Sequence, residues 1–199
     1  MVQISKILTK GEKEKKDTKK KVIISIVLAV IMLFSTAGYA FFSNDESTTK
    51  TKKVTYGGLE FQGTDYGTWK FQAGNYNFET TFNPEETNNI SVSISKTLSD
   101  YYEKPIYFGI NNRGDISTTG NNEIWRNMYS FLERSDLSCL DENCTEDKPI
   151  KNCSSNNVLI FRESNESFVR EEESCIFLYS PIYEQGRVAD AFLFKLLGI

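Results

Sequence analysis

The sequence contains no histidine among its 199 residues. This absence excludes the Ser-His-Asp and Cys-His catalytic arrangements, in which an imidazole carries the proton. It also excludes imidazole metal sites and a pH switch based on histidine titration. A serine nucleophile would need another motif. The S-x-x-K pair of Ser93 and Lys96 is a match, but it lies on an alternating strand without partner motifs.

The sequence also has few cysteines, and none of them forms a C-x-x-C pair, so a four-cysteine metal site is not favoured. No metal or other cofactor is expected. An even number of cysteines in an exported chain predicts two disulfides, for which three connectivities are possible. The spacing favours a Cys144–Cys153 bridge nested inside a Cys139–Cys175 bridge.

A long run without charge covers residues 22–42. As a helix it would reach about 31 Å, which is roughly the hydrocarbon thickness of a bilayer. Residues 1–21 hold eight lysines against three acidic residues, a net charge of +5, whereas residues 43–199 have a net charge of −9. Because positively charged flanks stay in the cytoplasm, we expect the N-terminus inside and residues 43–199 outside.

A cleaved signal peptide is the alternative interpretation, because residues 22–34 have the length of its apolar region and small residues follow. The long basic head and the continuation of the apolar run to residue 42 favour an uncleaved signal anchor that contacts the lipid bilayer. The predicted organisation is a basic cytoplasmic tail (1–21), a transmembrane helix (22–42), a linker (43–53) and an exported, disulfide-bonded domain (54–199).

The exported part is acidic, which argues against nucleic acid as a partner. It also contains every N-x-S/T glycosylation acceptor of the chain that has no proline in the middle. These acceptors are Asn89, Asn143, Asn152 and Asn165.

Period-two alternation begins at residue 54 and predicts strands. In the clearest hairpin, Gly74 and Asn75 form the turn, which pairs Ala73 with Tyr76 and Phe71 with Phe78 and places apolar residues on one face. Residues 90–94 alternate in the same way. Strands are also predicted over residues 106–110 and 158–161, and residues 168–169 and 175–179 are predicted to form a second hairpin.

Two helices are predicted in the second half of the chain. Residues 123–135 place Ile124, Met128, Phe131 and Leu132 on one stripe with Trp125 beside them, which is typical of a core-facing helix. Residues 188–197 are apolar almost all round and must therefore dock into the body of the domain. We expect an α/β (α+β) fold, with a mixed β-sheet, an N-terminal antiparallel hairpin and two packed helices, in addition to the transmembrane helix.

Candidate ligand-binding residues lie in the loop between the strand at 106–110 and the following helix, where α/β sheets commonly bind ligands. They are Asn111, Asn112, Arg113 and Asp115, which would suit an anion or a sugar. A polar loop of turn-forming residues is the simpler interpretation. Carboxylates for glycoside hydrolysis are also present, but their spacing selects no pair; they are Asp65, Asp115, Glu123 and Glu184.

The second half of the chain, roughly residues 105–199, carries four segments that together form a pattern: DKPIKNCS (147–154), NNVLIF (156–161), SCIFLYS (174–180) and VADAFLFKLLGI (188–199). This pattern resembles uncharacterised archaeal single-pass membrane-anchored surface proteins. The resemblance implies an archaeal cell surface and disulfide bonds. It implies no catalytic residues.

These observations favour a membrane-anchored extracytoplasmic interaction or binding module of unknown ligand. Two alternatives remain open. One is an extracytoplasmic carboxylate-based hydrolase acting on surface glycans. The other is an accessory subunit whose helix pairs with an envelope or membrane protein partner.

Overall fold

The computed structural model describes residues 20–28, 31–32, 52–110 and 118–199. The chain divides into two units, Met1–Lys50 and Thr51–Ile199. In the first unit, residues 20–28 and 31–32 are helical, and their side chains are exposed.

The residues that the structure describes include no helix long and apolar enough to cross a membrane. The span predicted over residues 22–42 lies partly outside the described residues, and it therefore stays a prediction.

The second unit begins with a four-stranded antiparallel meander: β1 (Lys53–Tyr56), β2 (Leu59–Gly63), β3 (Trp69–Ala73) and β4 (Tyr76–Thr80). The hairpin of β3 and β4 has the predicted register, with Phe71 opposite Phe78 and Ala73 opposite Tyr76. Gly74 takes a positive φ of 60° in the turn, a conformation that glycine adopts without steric cost.

A second, six-stranded sheet follows, in the spatial order β5-β9-β10-β8-β6-β7. Its neighbouring strands run parallel except for β9 and β10, which form the predicted second hairpin. The apolar runs in β6 and β8 are buried, as their sequences indicated. The strands are β5 (Ser91–Ser93), β6 (Pro105–Ile110), β7 (Arg134–Cys139), β8 (Val158–Glu163), β9 (Phe168–Glu172) and β10 (Cys175–Ser180).

The described residues of the second unit also form three α-helices: α1 (Pro84–Thr87), α2 (Thr118–Met128) and α3 (Gln185–Leu196). Helix α3 is buried on nearly all sides, as its composition predicted. Val188, Phe192 and Leu193 pack with the core of the six-stranded sheet, whereas Phe194 packs with the aromatic residues of the four-stranded sheet. The helix therefore lies between the two sheets. The fold is α+β, with the predicted hairpin in an antiparallel sheet separate from the mixed sheet.

The predicted helix over residues 123–135 is wrong at its C-terminal end, because α2 ends at Met128 and residues Arg134–Cys139 form β7. The carbonyl of Phe131 accepts a hydrogen bond from Glu103 N at 2.7 Å, and Glu133 N donates to Lys104 O. These backbone contacts divert the chain into pairing with β6. Trp125, predicted near the core, is 48% exposed.

Two disulfides are present, as predicted, but the favoured pairing Cys144–Cys153 with Cys139–Cys175 is wrong. The bridges are Cys139–Cys144 and Cys153–Cys175. Cys139 ends β7 and Cys175 begins β10, so the loop between β7 and β8 crosses one face of the sheet and is bridged near each of its ends. Sequence spacing alone did not reveal which strand end each cysteine would reach.

Candidate functional site: a polar groove on the four-stranded sheet

The predicted ligand-binding residues Asn111, Asn112, Arg113 and Asp115 lie outside the described residues. Strand β6 ends at Ile110, and helix α2 begins at Thr118. The structure therefore does not test this candidate site, which stays a prediction.

The four-stranded sheet has two chemically distinct faces because its strands alternate strictly. Phe61, Phe71 and Phe78 point inward, where they contact Phe131 and Phe194. The side chains at the alternate positions, between these phenylalanines, point outward and are polar. They form cross-strand rows, in which Gln62 lies opposite Lys70, Lys70 opposite Glu79, and Gln72 opposite Asn77.

This outer face carries an open groove of about 680 Å³. Its polar side chains comprise three neutral amides, two glutamates and one lysine, so it offers hydrogen-bond donors and acceptors with little net charge. Phe71 and Phe78 line it as well, but both are almost fully buried on the inner face. The lining residues are Glu60, Gln62, Lys70, Phe71, Gln72, Asn77, Phe78 and Glu79.

The charged groups of the groove are held by neighbours on the same face. Glu60 Oε1 accepts hydrogen bonds from Lys53 Nζ at 2.9 Å and Gln62 Nε2 at 2.7 Å, and these bonds lower the pKa of Glu60 below its usual value. Lys70 Nζ lies 3.6 Å from a carboxylate oxygen of Glu79. Because both pairs are solvent-exposed, they add little stability.

Helix α2 closes the free edge of β4. Asn127 Oδ1 accepts a hydrogen bond from Glu79 N at 2.9 Å, and Asn127 Nδ2 donates to Glu79 O at 2.9 Å. Arg126 Nη2 donates to the same carbonyl at 3.0 Å. Because these side chains satisfy the edge, an added peptide strand has no place to pair along this part of β4.

The turn that follows β2, one of the strands that line the groove, carries an exposed aromatic ring. Tyr66 is 93% exposed in the turn between β2 and β3. The base of this turn is tied to the groove, because Thr68 Oγ1 donates to Glu79 Oε1 at 2.7 Å and also hydrogen-bonds Thr64 Oγ1 at 2.7 Å. Hydrogen bonds therefore hold the turn that carries the ring, and the exposed ring is available for stacking.

Of the carboxylates considered for hydrolysis, Glu123 lies beside a second carboxyl group, Asp190 of α3. Glu123 accepts hydrogen bonds from Thr81 N and Thr81 Oγ1, each at 3.0 Å, and from Arg126 Nη2 at 2.6 Å. Asp190 Oδ2 accepts from Phe82 N at 2.8 Å. The two carboxyl groups thus bind consecutive backbone amides and join the end of β4 to both helices.

Asp190 is fully buried, and Glu123 is 6% exposed. Burial, followed by the neighbouring Glu123 carboxylate, raises the pKa of Asp190 well above its usual value. Asp190 consequently keeps its proton to a higher pH than an exposed aspartate does. Glu123 and Asp190 Oδ2 each accept a backbone N–H, so the pair acts as a structural clamp, while the buried Asp190 Oδ1 has no hydrogen-bond partner among the described residues. Asp65 is exposed, Glu184 is ion-paired with Arg187 at 3.5 Å, and Asp115 lies outside the described residues.

Lys96, the lysine of the S-x-x-K match, has a different structural role. Its ammonium group donates to Ser174 O at 2.8 Å and to Asn157 Oδ1 at 3.3 Å, which holds the turn between β9 and β10. Burial lowers its pKa, and Glu171 and Asp100 oppose that shift. In the described part of the chain, Ser93 is not a hydrogen-bond partner of Lys96, so the motif does not form a catalytic pair there.

Across residues 52–110 and 118–199, together with the helical residues near the N-terminus, no group of three or more acidic or cysteine side chains is placed to hold a metal ion.

The groove was not predicted as a site from the sequence. Its residues were visible as the polar partners of the alternation, for example Gln72 between Phe71 and Ala73. Nothing in the alternation indicated that side chains of three strands would line a groove.

The chain matches no protein-family model, no curated protein and no solved structure.

Proposed function

We propose that this protein is a membrane-anchored extracytoplasmic binding module that holds a neutral glycan in the groove of its four-stranded sheet. The observation that carries the proposal is the groove itself, with its ordered rows of amide, carboxylate and ammonium side chains. The sheet beneath it is supported by a packed aromatic layer, so the backbone that carries the polar groups is held in place.

The extracytoplasmic location is supported by two disulfides, which persist in oxidising compartments. The uncharged run over residues 22–42 and the opposite charges of its flanks support a single span with the N-terminus inside.

The chemistry of the groove favours a glycan over other ligands. Side-chain amides such as Gln62, Gln72 and Asn77 donate and accept hydrogen bonds, which matches neighbouring hydroxyl groups that also do both. The apolar rings beneath are buried, so a lipid or an apolar peptide side chain finds no pocket. Tyr66 would supply the aromatic face on which a sugar ring stacks.

The hydrolase alternative gains no support from Glu123, because its oxygens are committed to Thr81 and Arg126 in the core. A glycosidase requires two carboxyl groups flanking a substrate, separated by roughly 5–10 Å. The groove instead offers ion-paired glutamates on an open sheet face, which suits binding.

The proposal is tested by binding of neutral, acidic and amino-sugar oligosaccharides to the full-length protein in detergent micelles, first on an array and then by titration calorimetry. We expect a neutral oligosaccharide to bind. Gln72→Ala should weaken it about two- to tenfold, the value of one lost hydrogen bond. Tyr66→Ala should weaken it by a similar factor, about tenfold at most.

Each variant has a matched control. Thr55→Ala alters the same sheet face outside the groove lining, and Tyr183→Ala removes a tyrosine that is 84% exposed on the turn before α3. Both controls should bind like the wild type. Binding that survives loss of Gln72 and Tyr66 but is abolished by Trp125→Ala would overturn the groove as the site.

A further inference from the structure

We infer that the exported domain is N-glycosylated at Asn89, Asn143, Asn152 and Asn165, and that these glycans cover the six-stranded sheet while leaving the groove bare. The inference rests on the extracytoplasmic location in the proposed function. The glycosylation itself does not depend on what the groove binds, whereas the test that the groove stays bare uses the proposed oligosaccharide ligand.

All four acceptor asparagines are exposed. Asn89 lies two residues before β5, Asn165 lies in the connection from β8 to β9, and Asn143 and Asn152 lie in the loop between β7 and β8. Residues 52–88, which contain the whole four-stranded sheet, hold four asparagines but no acceptor sequence. The acceptors therefore all belong to the half of the domain built on the six-stranded sheet.

The local contacts leave the reactive atom available. Asn89 accepts a hydrogen bond from Arg187 through Oδ1, and Asn152 Oδ1 accepts from Ser154 Oγ at 3.2 Å and Ser155 Oγ at 3.0 Å. Both contacts use the amide oxygen. Within the described residues, the Nδ2 atom of none of the four acceptors donates a hydrogen bond to the protein.

The modification requires a lipid-linked oligosaccharide pyrophosphate as donor and a membrane-bound transferase. A bond forms between Asn Nδ2 and the anomeric carbon, and the bond from that carbon to the pyrophosphate oxygen breaks. Nδ2 loses one proton, and the lipid pyrophosphate leaves with the bonding electron pair. No oxidant or reductant is involved.

The glycans on Asn89 and Asn165 would shelter the edge of the sheet at β5, beside a partly exposed row of aromatic side chains. On the sheet face opposite the helices, the rings of Phe168 and Tyr179 stack at 4.4 Å, Arg170 lies over Tyr179 at 5.2 Å, and Phe177 continues the row. These side chains remain partly exposed beside β5, an edge strand. Asn89 and Asn165 precede Ser91 and Phe168, which pair with each other. Bulky hydrophilic groups there would block edge-to-edge association.

The first experiment synthesises the full-length chain with microsomes that contain an oligosaccharyltransferase. We expect four mobility steps on a gel, all reversed by an amidase that removes N-glycans. Ser91→Ala, Thr145→Ala, Ser154→Ala and Ser167→Ala should each remove one step without altering an acceptor asparagine. Ser93→Ala, in the same strand as Ser91, should remove none. In protein purified from the cells that make it, amidase treatment should leave aspartate at the four positions.

Protease protection in the same microsomes separates the two proposals. A protected domain without mobility steps would overturn the glycosylation and leave the extracytoplasmic location intact. An unprotected domain would overturn the location, and the glycosylation with it.

The sidedness is tested with an acceptor placed beside the groove. Asn77→Thr completes an N-x-T acceptor sequence that begins at Asn75 in the β3–β4 turn, and its control adds Asn75→Gln, which removes the new acceptor. Glycan on Asn75 should lower oligosaccharide binding relative to that control. Amidase treatment of the wild type should leave its affinity unchanged. A rise in affinity after removal of the native glycans would show that they cover the groove, against the inference.

Discussion

At the scale of single residues, the buried carboxyl group of Asp190 links the domain's stability to pH. Its Oδ2 accepts the Phe82 amide, and burial beside Glu123 raises its pKa. The folded state therefore retains a proton that the unfolded chain, with a pKa of about 3.9, releases. Stability from this group is fully present below pH of about 4 and is lost as the pH rises through the raised folded pKa.

We predict that Asp190→Asn makes stability less dependent on pH above about 4. The amide keeps an acceptor for Phe82 N and a donor toward Glu123, but it releases no proton. Urea unfolding of wild type and variant across a pH series measures the effect. If the free energies of unfolding of the two proteins changed with pH in the same way, the raised pKa of Asp190 would be contradicted.

Gly109 in β6 lies where there is no space for a larger side chain. A Cβ atom there would lie 2.9 Å from Leu140 Cδ2 and 3.0 Å from Ile160 Cγ1. Leu140 belongs to the loop between β7 and β8, so the missing side chain lets that loop pack against the sheet.

We predict that Gly109→Ala destabilises the domain by about 1–3 kcal/mol through overpacking. Chemical denaturation measures the loss. A double-mutant cycle with Leu140→Ala should show coupling, because the smaller side chain relieves the contact. Simple additivity of the two changes would mean that Leu140 is not the obstacle.

At the scale of elements, the sequence predicted strands best where alternation and a turn agreed. The Phe71–Phe78 pairing followed from a glycine-containing turn and alternating phenylalanines, and the structure confirms it. The end of α2 was mispredicted because Phe131 continues the helical spacing of apolar residues. The backbone carbonyl of Phe131 instead accepts a hydrogen bond from Glu103 N, a contact between residues distant in sequence.

The two disulfides hold the loop between β7 and β8 near its two ends. The bridged cysteines are separated by 5 residues in Cys139–Cys144 and by 22 in Cys153–Cys175. A longer closed loop restricts the unfolded chain more strongly. Pairing could not be predicted from spacing, since it depends on where β7 ends and β10 begins.

We predict that replacing Cys153 and Cys175 by alanine costs about 3 kcal/mol, against about 2 kcal/mol for Cys139 and Cys144. Denaturation of the two double variants under non-reducing conditions gives the comparison. Non-reducing peptide mapping of the wild type provides the control for connectivity. An equal or reversed cost would argue that chain entropy does not set their contributions.

At the scale of the whole molecule, a helix between two sheets leaves a polar face of the four-stranded sheet open. The α+β class was predictable from the order of strand and helix patterns. The separation into two sheets was not predictable, because it depends on packing around α3. Phe61 and Phe71 pack on one side of this helix, and Leu178 packs on the other. The groove arises only from that arrangement, which explains why the candidate residues in the sequence lay elsewhere.

We propose that residues 43–199 stand outside the cytoplasmic membrane on a single anchor. It is tested most directly by treating intact cells with protease, using full-length protein tagged at both ends. We predict that the tag after Ile199 is digested in intact cells, while the tag before Met1 is protected and stays in the membrane fraction. A C-terminal tag that becomes sensitive only after the cells are lysed would contradict the claim.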